Sequence, residues 1–126
     1  MANIITVCIG SNAPDGYDKV DEALSWLSSL FSTCKSYGPY PTTPYGNASA
    51  ARQYFNAVAT GNIPLEEKQI YEMFKDYETA HGRIHGSHEE VAIDLDLVVL
   101  NGNVLRPTDF SAPYFKKGLS HLIDVS

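Results

Sequence analysis

Val91-Ala-Ile-Asp94-Leu-Asp96-Leu-Val-Val-Leu100 runs into Asn101-Gly102-Asn103. β-Branched and apolar residues dominate the ten positions and a turn former closes them, which predicts a buried β-strand. Alternation sends Ile93, Leu95 and Leu97 to one face and Asp94 and Asp96 to the other. Two positions along a strand advance about 6.6 Å, close enough for two carboxylates to share a pair of metal ions. Unpaired carboxylates are costly to bury in so apolar a strand. A divalent metal, Arg or Lys is therefore expected to meet them. The alternative is a solvated or salt-bridged pair at a sheet edge.

Upstream, residues 53–63 read as a strand with Phe55, Ala57 and Ala59 on one face and Tyr54, Asn56 and Val58 on the other. Between these two strands Pro64 opens a helix, with Glu66 and Glu67 in its positive first turn. Its core face is Ile70, Met73, Phe74 and Tyr77, and Gly82 supplies a C-terminal stop. Nearer the N-terminus, Ile4-Ile-Thr-Val-Cys-Ile9 is a short strand ended by Gly10-Ser11-Asn12. An amphipathic helix over residues 17–31 buries Val20, Ala23, Leu24, Leu27, Leu30 and Phe31. A further strand covers residues 34–40, and the prolines then predict a loop over residues 41–52. The tail carries Pro107, Pro113 and a short apolar helix signal at residues 119–123. The order βαββαβ predicts an α+β, ferredoxin-like domain spanning residues 1–126, with helices on one face of a mixed, mostly antiparallel sheet.

The 126-residue length fits one domain with its own core. A net charge of −6 argues against non-specific nucleic-acid binding, which needs a basic face. It leaves room for a nucleotide substrate held by a few local Lys or Arg. No apolar run approaches a membrane span, and the first residues do not read as a signal peptide. Cys8 and Cys34 lie in apolar stretches without metal-type spacing, so both read as reduced core thiols of a cytoplasmic protein.

Four ordered stretches resemble the hydroxymethyldihydropterin pyrophosphokinases of folate biosynthesis. They are Ile9-Gly-Ser-Asn12, Tyr40-Pro-Thr-Thr-Pro-Tyr-Gly46, Tyr54-Phe-Asn56-Ala-Val58, and Gly82-Arg83 followed by Ile93-Asp-Leu-Asp96-Leu. The resemblance covers about residues 4–115. It implies a ferredoxin-like fold and transfer of pyrophosphate from ATP to the hydroxymethyl group of a reduced pterin, with two Mg²⁺ ions. By the same resemblance Asp94 and Asp96 match the family's metal-binding pair. Hard oxygen ligands plus substrate phosphates suit Mg²⁺.

Carried over in the same way, Asn56 pairs with the pterin edge, Tyr54 flanks it, and Thr43, Pro44, Tyr45 and Phe115 line the pterin pocket. Glu78, Arg83 and Lys117 fall on the nucleotide side, with Arg83 counted among the catalytic residues. Each position also has a plainer reading. Asn56 could satisfy backbone groups, Glu78 could be a solvated helix residue, and Arg83 could serve the negative end of a helix.

Two stretches depart from the family's pattern. Where the family carries Arg-Trp-Gly-Pro-Arg, this chain has Gly86-Ser-His-Glu-Glu-Val-Ala92, with Val91 in the place of the last Arg. Where the family has Pro-His-Tyr and a later Arg, it has Pro113-Tyr114-Phe115 and Lys117. Each lost charge contact is expected to cost on the order of 2–4 kcal/mol in the transition state. A second reading follows: a catalytically impaired paralogue acting as a pterin- or nucleotide-binding or regulatory module. His81, His85 and His88 with Glu89 and Glu90 offer a further, less specific metal option beside a solvated-loop reading.

Overall fold

β1 (Asn3–Ser11) is buried along its last seven residues and forms the centre of a five-stranded sheet. The computed structural model describes residues 2–43, 53–82 and 91–123. β1 pairs with β3 (Tyr54–Ile63) on one side and with β4 (Asp94–Leu100) on the other. β2 (Thr33–Thr42) lies outside β3, and β5 (Asn103–Val104) lies outside β4. All four pairings are antiparallel, so the sheet is not mixed. The first six elements follow the expected βαββαβ order and the ferredoxin-like plan.

α1 (Gly16–Leu30) and α2 (Glu67–Ala80) cover one face. Val20, Ala23, Leu24 and Leu27 of α1 and Ile70, Phe74 and Tyr77 of α2 pack on Ile5, Val7, Ile9, Ala57, Leu95 and Leu97. That is the face to which alternation assigned Leu95 and Leu97. Helix α2 begins three residues after Pro64, where the Glu66 amide donates to Gln69 Oε1 at 2.9 Å.

Among the described residues, the C-terminal segment covers part of the opposite face. The tail forms two helices, α3 (Pro107–Ser111) and α4 (Pro113–Ile123), adding a layer to the two-helix plan. Phe115 and Leu122 of α4 join Cys8, Tyr40, Val58 and Val98 in a second, smaller core. Gly118 allows this close approach, because a Cβ there would stand 2.3 Å from Tyr40 Oη and 2.6 Å from Val58 Cγ2. Tyr40 Oη donates to the Tyr114 carbonyl at 2.8 Å, pinning the start of α4 to β2. Among the described residues, the sheet face beyond α3 and α4 carries no further helix, and the candidate site lies there.

Two expectations need correction. Pro41, expected to open a loop, lies within β2, which runs on to Thr42. β2 is an edge strand, so it tolerates a missing N–H, and its register with β3 shifts between Tyr37 and Tyr40. Cys8 is buried as expected, but Cys34 is exposed, near the start of that edge strand with a neighbour on one side only.

Candidate active site

One row across the sheet sets the site. Gly10 of β1 pairs with Asn56 of β3 on one side and Asp94 of β4 on the other. Two strand spacings separate the Asn56 and Asp94 backbones by about 9–10 Å. Between them Gly10 carries no side chain, and a Cβ there would stand 2.9 Å from Asn56 Nδ2. The next row toward α4 places Asp96 opposite Cys8, with Val58 on the far side. Gly10 thus holds open a cavity of about 310 Å³.

Asp94 and Asp96 line one side of this cavity; Thr42, Thr43, Tyr54 and Asn56 line the other. Arg106, Thr108, Asp109 and Tyr114 complete it from the turn before α3 and from the two C-terminal helices. Arg106 Nη2 stands 3.6 Å from Asp96 Oδ1. Its Nε donates to Asp109 Oδ2, and the Tyr114 hydroxyl donates to Asp109 Oδ1. Burial, and then the neighbouring Asp94 carboxylate, push the Asp96 carboxyl up to about 7 against the pull of Arg106. Burial, followed by Asp94 and Asp96, likewise raises the Tyr54 phenol.

Asn56 is held on both sides of its amide. Nδ2 donates to the Ile9 carbonyl at 3.0 Å, and Oδ1 lies 2.6 Å from Thr42 Oγ1. A carbonyl can only accept, so the Ile9 contact fixes which end of the amide is nitrogen. Satisfying backbone is therefore part of its role, as the plainer reading held. Nδ2 also donates to Cys8 Sγ at 3.7 Å, a weak acceptor that a ligand oxygen or nitrogen would replace, and Oδ1 keeps a second acceptor lone pair, so the amide can present one donor–acceptor edge.

The Ser11-Asn12 end of β1 secures the approach to β4. The Asn12 amide donates to the Val91 carbonyl at 3.0 Å, and the Val91 amide donates back to Asn12 Oδ1. The Ser11 hydroxyl adds a 3.2 Å bond to the same carbonyl. The chain enters β4 three residues before Asp94 with its register locked.

The structure brings Asp94, Asp96, Thr43, Tyr54 and Asn56 together around one cavity. Phe115 does not join them: it is 0% exposed in the second core, so its expected place on the pterin is corrected to a packing role beneath α4. Lys117 is exposed on α4, its Nζ 5.6 Å from the Tyr40 ring, and is not among the cavity's lining residues. Glu78 is 8% exposed on α2, and its Oε2 accepts from the Leu95 amide at 2.8 Å. It approaches β4 from the helical layer, so neither a solvated residue nor a cavity-lining one describes it. Pro44, Tyr45 and Arg83 lie outside the described residues, as do His85, His88, Glu89 and Glu90. His81 stacks on Tyr77 at 3.8 Å between ring centroids and pairs with Glu22, on the helical layer away from the cavity.

Sequence reasoning missed Gly10, Thr42, Arg106, Thr108, Asp109 and Tyr114 as parts of the site. Gly10 and Thr42 sat inside quoted motifs without a role. Nothing in the local pattern near Arg106 signals its reach to Asp96.

Among the described residues, no three His, Cys, Asp or Glu side chains converge as a metal cage. Asp94 and Asp96 instead form a pair of hard oxygen donors on an open cavity. Such a pair suits Mg²⁺, which takes one or two carboxylates and completes its shell with water and substrate phosphates.

Residues 6–121 match the family model of 7,8-dihydro-6-hydroxymethylpterin-pyrophosphokinase (HPPK). The chain belongs to the HPPK family. No curated protein matches it. Membership assigns the chain to the ATP-dependent pyrophosphokinases of folate biosynthesis, transferases whose substrates are ATP and a pterin. The HPPK match spans every described residue that lines the cavity, from Cys8 on β1 to Tyr114 on α4. No described helix is long and apolar enough to cross a membrane.

Proposed function

We propose that this HPPK-family chain transfers the terminal pyrophosphate of ATP to the hydroxymethyl group of a reduced pterin, with Mg²⁺ held by Asp94 and Asp96. The observation that carries the reading is the row Asn56–Gly10–Asp94. It sets an amide suited to a pterin edge and a carboxylate suited to a metal on either side of a gap kept clear by glycine.

In this reaction the hydroxymethyl oxygen gives up its proton to solvent and bonds to the β-phosphorus, the bond from that phosphorus to the α-phosphate bridge breaks, and AMP leaves with the bridging oxygen. Bound metal supplies charge neutralisation and alignment of the phosphates. Asn56, fixed by Thr42 and Ile9, orients the pterin so that its hydroxymethyl arm points toward the acidic side of the cavity. Tyr54 provides an aromatic flank to the ring. Arg106 offers a guanidinium suited to phosphate oxygens. Phosphoryl transfer depends chiefly on positioning and electrostatics, so these side chains have no covalent step to perform. The free thiols Cys8 and Cys34 fit a reducing, cytoplasmic setting.

One observation favours the second reading, a binding module with weakened catalysis. Among the described residues, the cavity is lined by three carboxylates, Asp94, Asp96 and Asp109, against one guanidinium. Incubation with ATP, Mg²⁺ and hydroxymethyldihydropterin decides between the two. AMP released in step with pyrophosphorylated pterin supports the enzyme. Folded protein that binds the pterin by calorimetry and releases no AMP above background supports the module.

A further inference from the structure

Arg106 is anchored at one corner and loose at another. As the residue preceding α3, it has its backbone fixed by the bond from the Phe110 amide to its carbonyl at 2.9 Å. Its Nε is committed to Asp109, whose second oxygen is taken by the Tyr114 hydroxyl. Nη2, by contrast, faces Asp96 at 3.6 Å, beyond hydrogen-bond length, and the side chain is 50% exposed while that of Asp96 is 22% exposed.

A divalent cation on Asp96 would meet the guanidinium as a like charge a few ångströms away, and the two repel in a partly dry cavity. We propose that Arg106 is the resident counter-cation of Asp96 in the metal-free protein, and that a divalent cation displaces it and frees its outer nitrogens for a nucleotide phosphate. The inference rests on the reading of Asp94 and Asp96 as metal ligands. It assigns Arg106 two opposed effects: it weakens metal binding on its own and strengthens binding of the metal–nucleotide complex. The Asp109 anchor keeps the guanidinium at the cavity in both states. Asp109 and Tyr114 are then positioning residues that hold the arm on which the cation turns.

The test measures Mn²⁺ alone by the paramagnetic resonance of the free ion, and Mg²⁺ with α,β-methylene-ATP by calorimetry, on the full chain. Arg106→Gln is expected to bind Mn²⁺ about three- to tenfold more tightly than wild type, since it removes one nearby positive charge. The same variant is expected to bind the Mg·nucleotide analogue about tenfold more weakly, having lost a charge-assisted phosphate contact. Arg106→Lys, which keeps the charge, should leave Mn²⁺ affinity within about twofold of wild type. In the wild-type protein Mg²⁺ alone should shift the guanidinium NMR signal of Arg106.

Unchanged Mn²⁺ affinity in Arg106→Gln, with Asp96→Asn clearly weakened, overturns the proposal and leaves the metal pair standing. A wild-type Arg106 signal that does not move at saturating Mg²⁺ overturns it without any variant. Mn²⁺ binding that Asp94→Asn and Asp96→Asn both leave intact removes the metal pair and this inference together.

Discussion

Thr42 Oγ1 stands 2.6 Å from Asn56 Oδ1, so a hydroxyl on the edge strand holds the amide that lines the cavity opposite Asp94. The contact ties the last residue of β2 to the candidate ligand-binding residue of β3, within two positions of their register pairing. It explains how the segment Tyr40-Pro-Thr42 acts on the site without reaching the metal side.

Thr42→Val keeps the shape of the side chain and removes the hydroxyl. The loss of one fixing hydrogen bond is expected to cost about 1 kcal/mol in pterin affinity, a five- to tenfold rise in Kd. Mg·nucleotide affinity should stay within about twofold. Calorimetric titration of the variant with each ligand measures both, and equal losses for the two would mean that the cavity as a whole had shifted.

Asp96 makes stability depend on pH. Its carboxyl is held at about 7 in the folded chain against an ordinary 3.8, so the native state binds this proton more tightly than the unfolded state. The contribution is fully present below about pH 4 and is lost as pH rises toward 7, on the order of 2–4 kcal/mol. Asp96→Asn should therefore gain stability relative to wild type between pH 5 and pH 8 in metal-free buffer. Thermal melts at the two values check this, and Mg²⁺ at pH 8 should restore stability to wild type but not to the variant.

Phe115 tests the packing role. Phe115→Ala removes a fully buried ring from the small core under α4 and is expected to cost about 3–5 kcal/mol in denaturant unfolding. Phe115→Leu, which keeps most of the volume, should leave pterin affinity within about twofold. A large affinity loss in the folded Leu variant would return the ring to the ligand.

Period-two alternation carried most of what could be read in advance. Leu95 and Leu97 reached the helical layer and Asp94 and Asp96 the open face, because one face of β4 packs on two helices and the sequence had to declare which. The same logic separated Phe55 and Ala57 from Tyr54 and Asn56. Where context outweighed local pattern, the reading failed. Pro41 sits in β2 because an edge strand has an unpaired side, a fact known only once the strand order is known. Cys34 is exposed for the same reason.

The tail hid more of the site. Two short helices opening on Pro107 and Pro113 gave little periodicity to detect, so the approach of Arg106 and Asp109 to the cavity left no signature, and Tyr114 stood out only as a departure from the family's Pro-His-Tyr. Arg106 meets Asp96 from ten positions away, across the turn at Asn101-Gly102. Gly10 was visible as a strand terminator, but its use as a gap between Asn56 and Asp94 depends on pairings with two separate strands.

The central claim is that Asp94 and Asp96 grip a divalent cation beside a bound nucleotide. Calorimetric titration of α,β-methylene-ATP into wild type and into Asp94→Asn/Asp96→Asn, each with Mg²⁺ and with EDTA, tests it most directly. The account predicts binding to wild type that needs Mg²⁺, and a loss of about a hundredfold or more in the folded double variant. Equal affinity in the two proteins, or wild-type binding that survives EDTA undiminished, would contradict it.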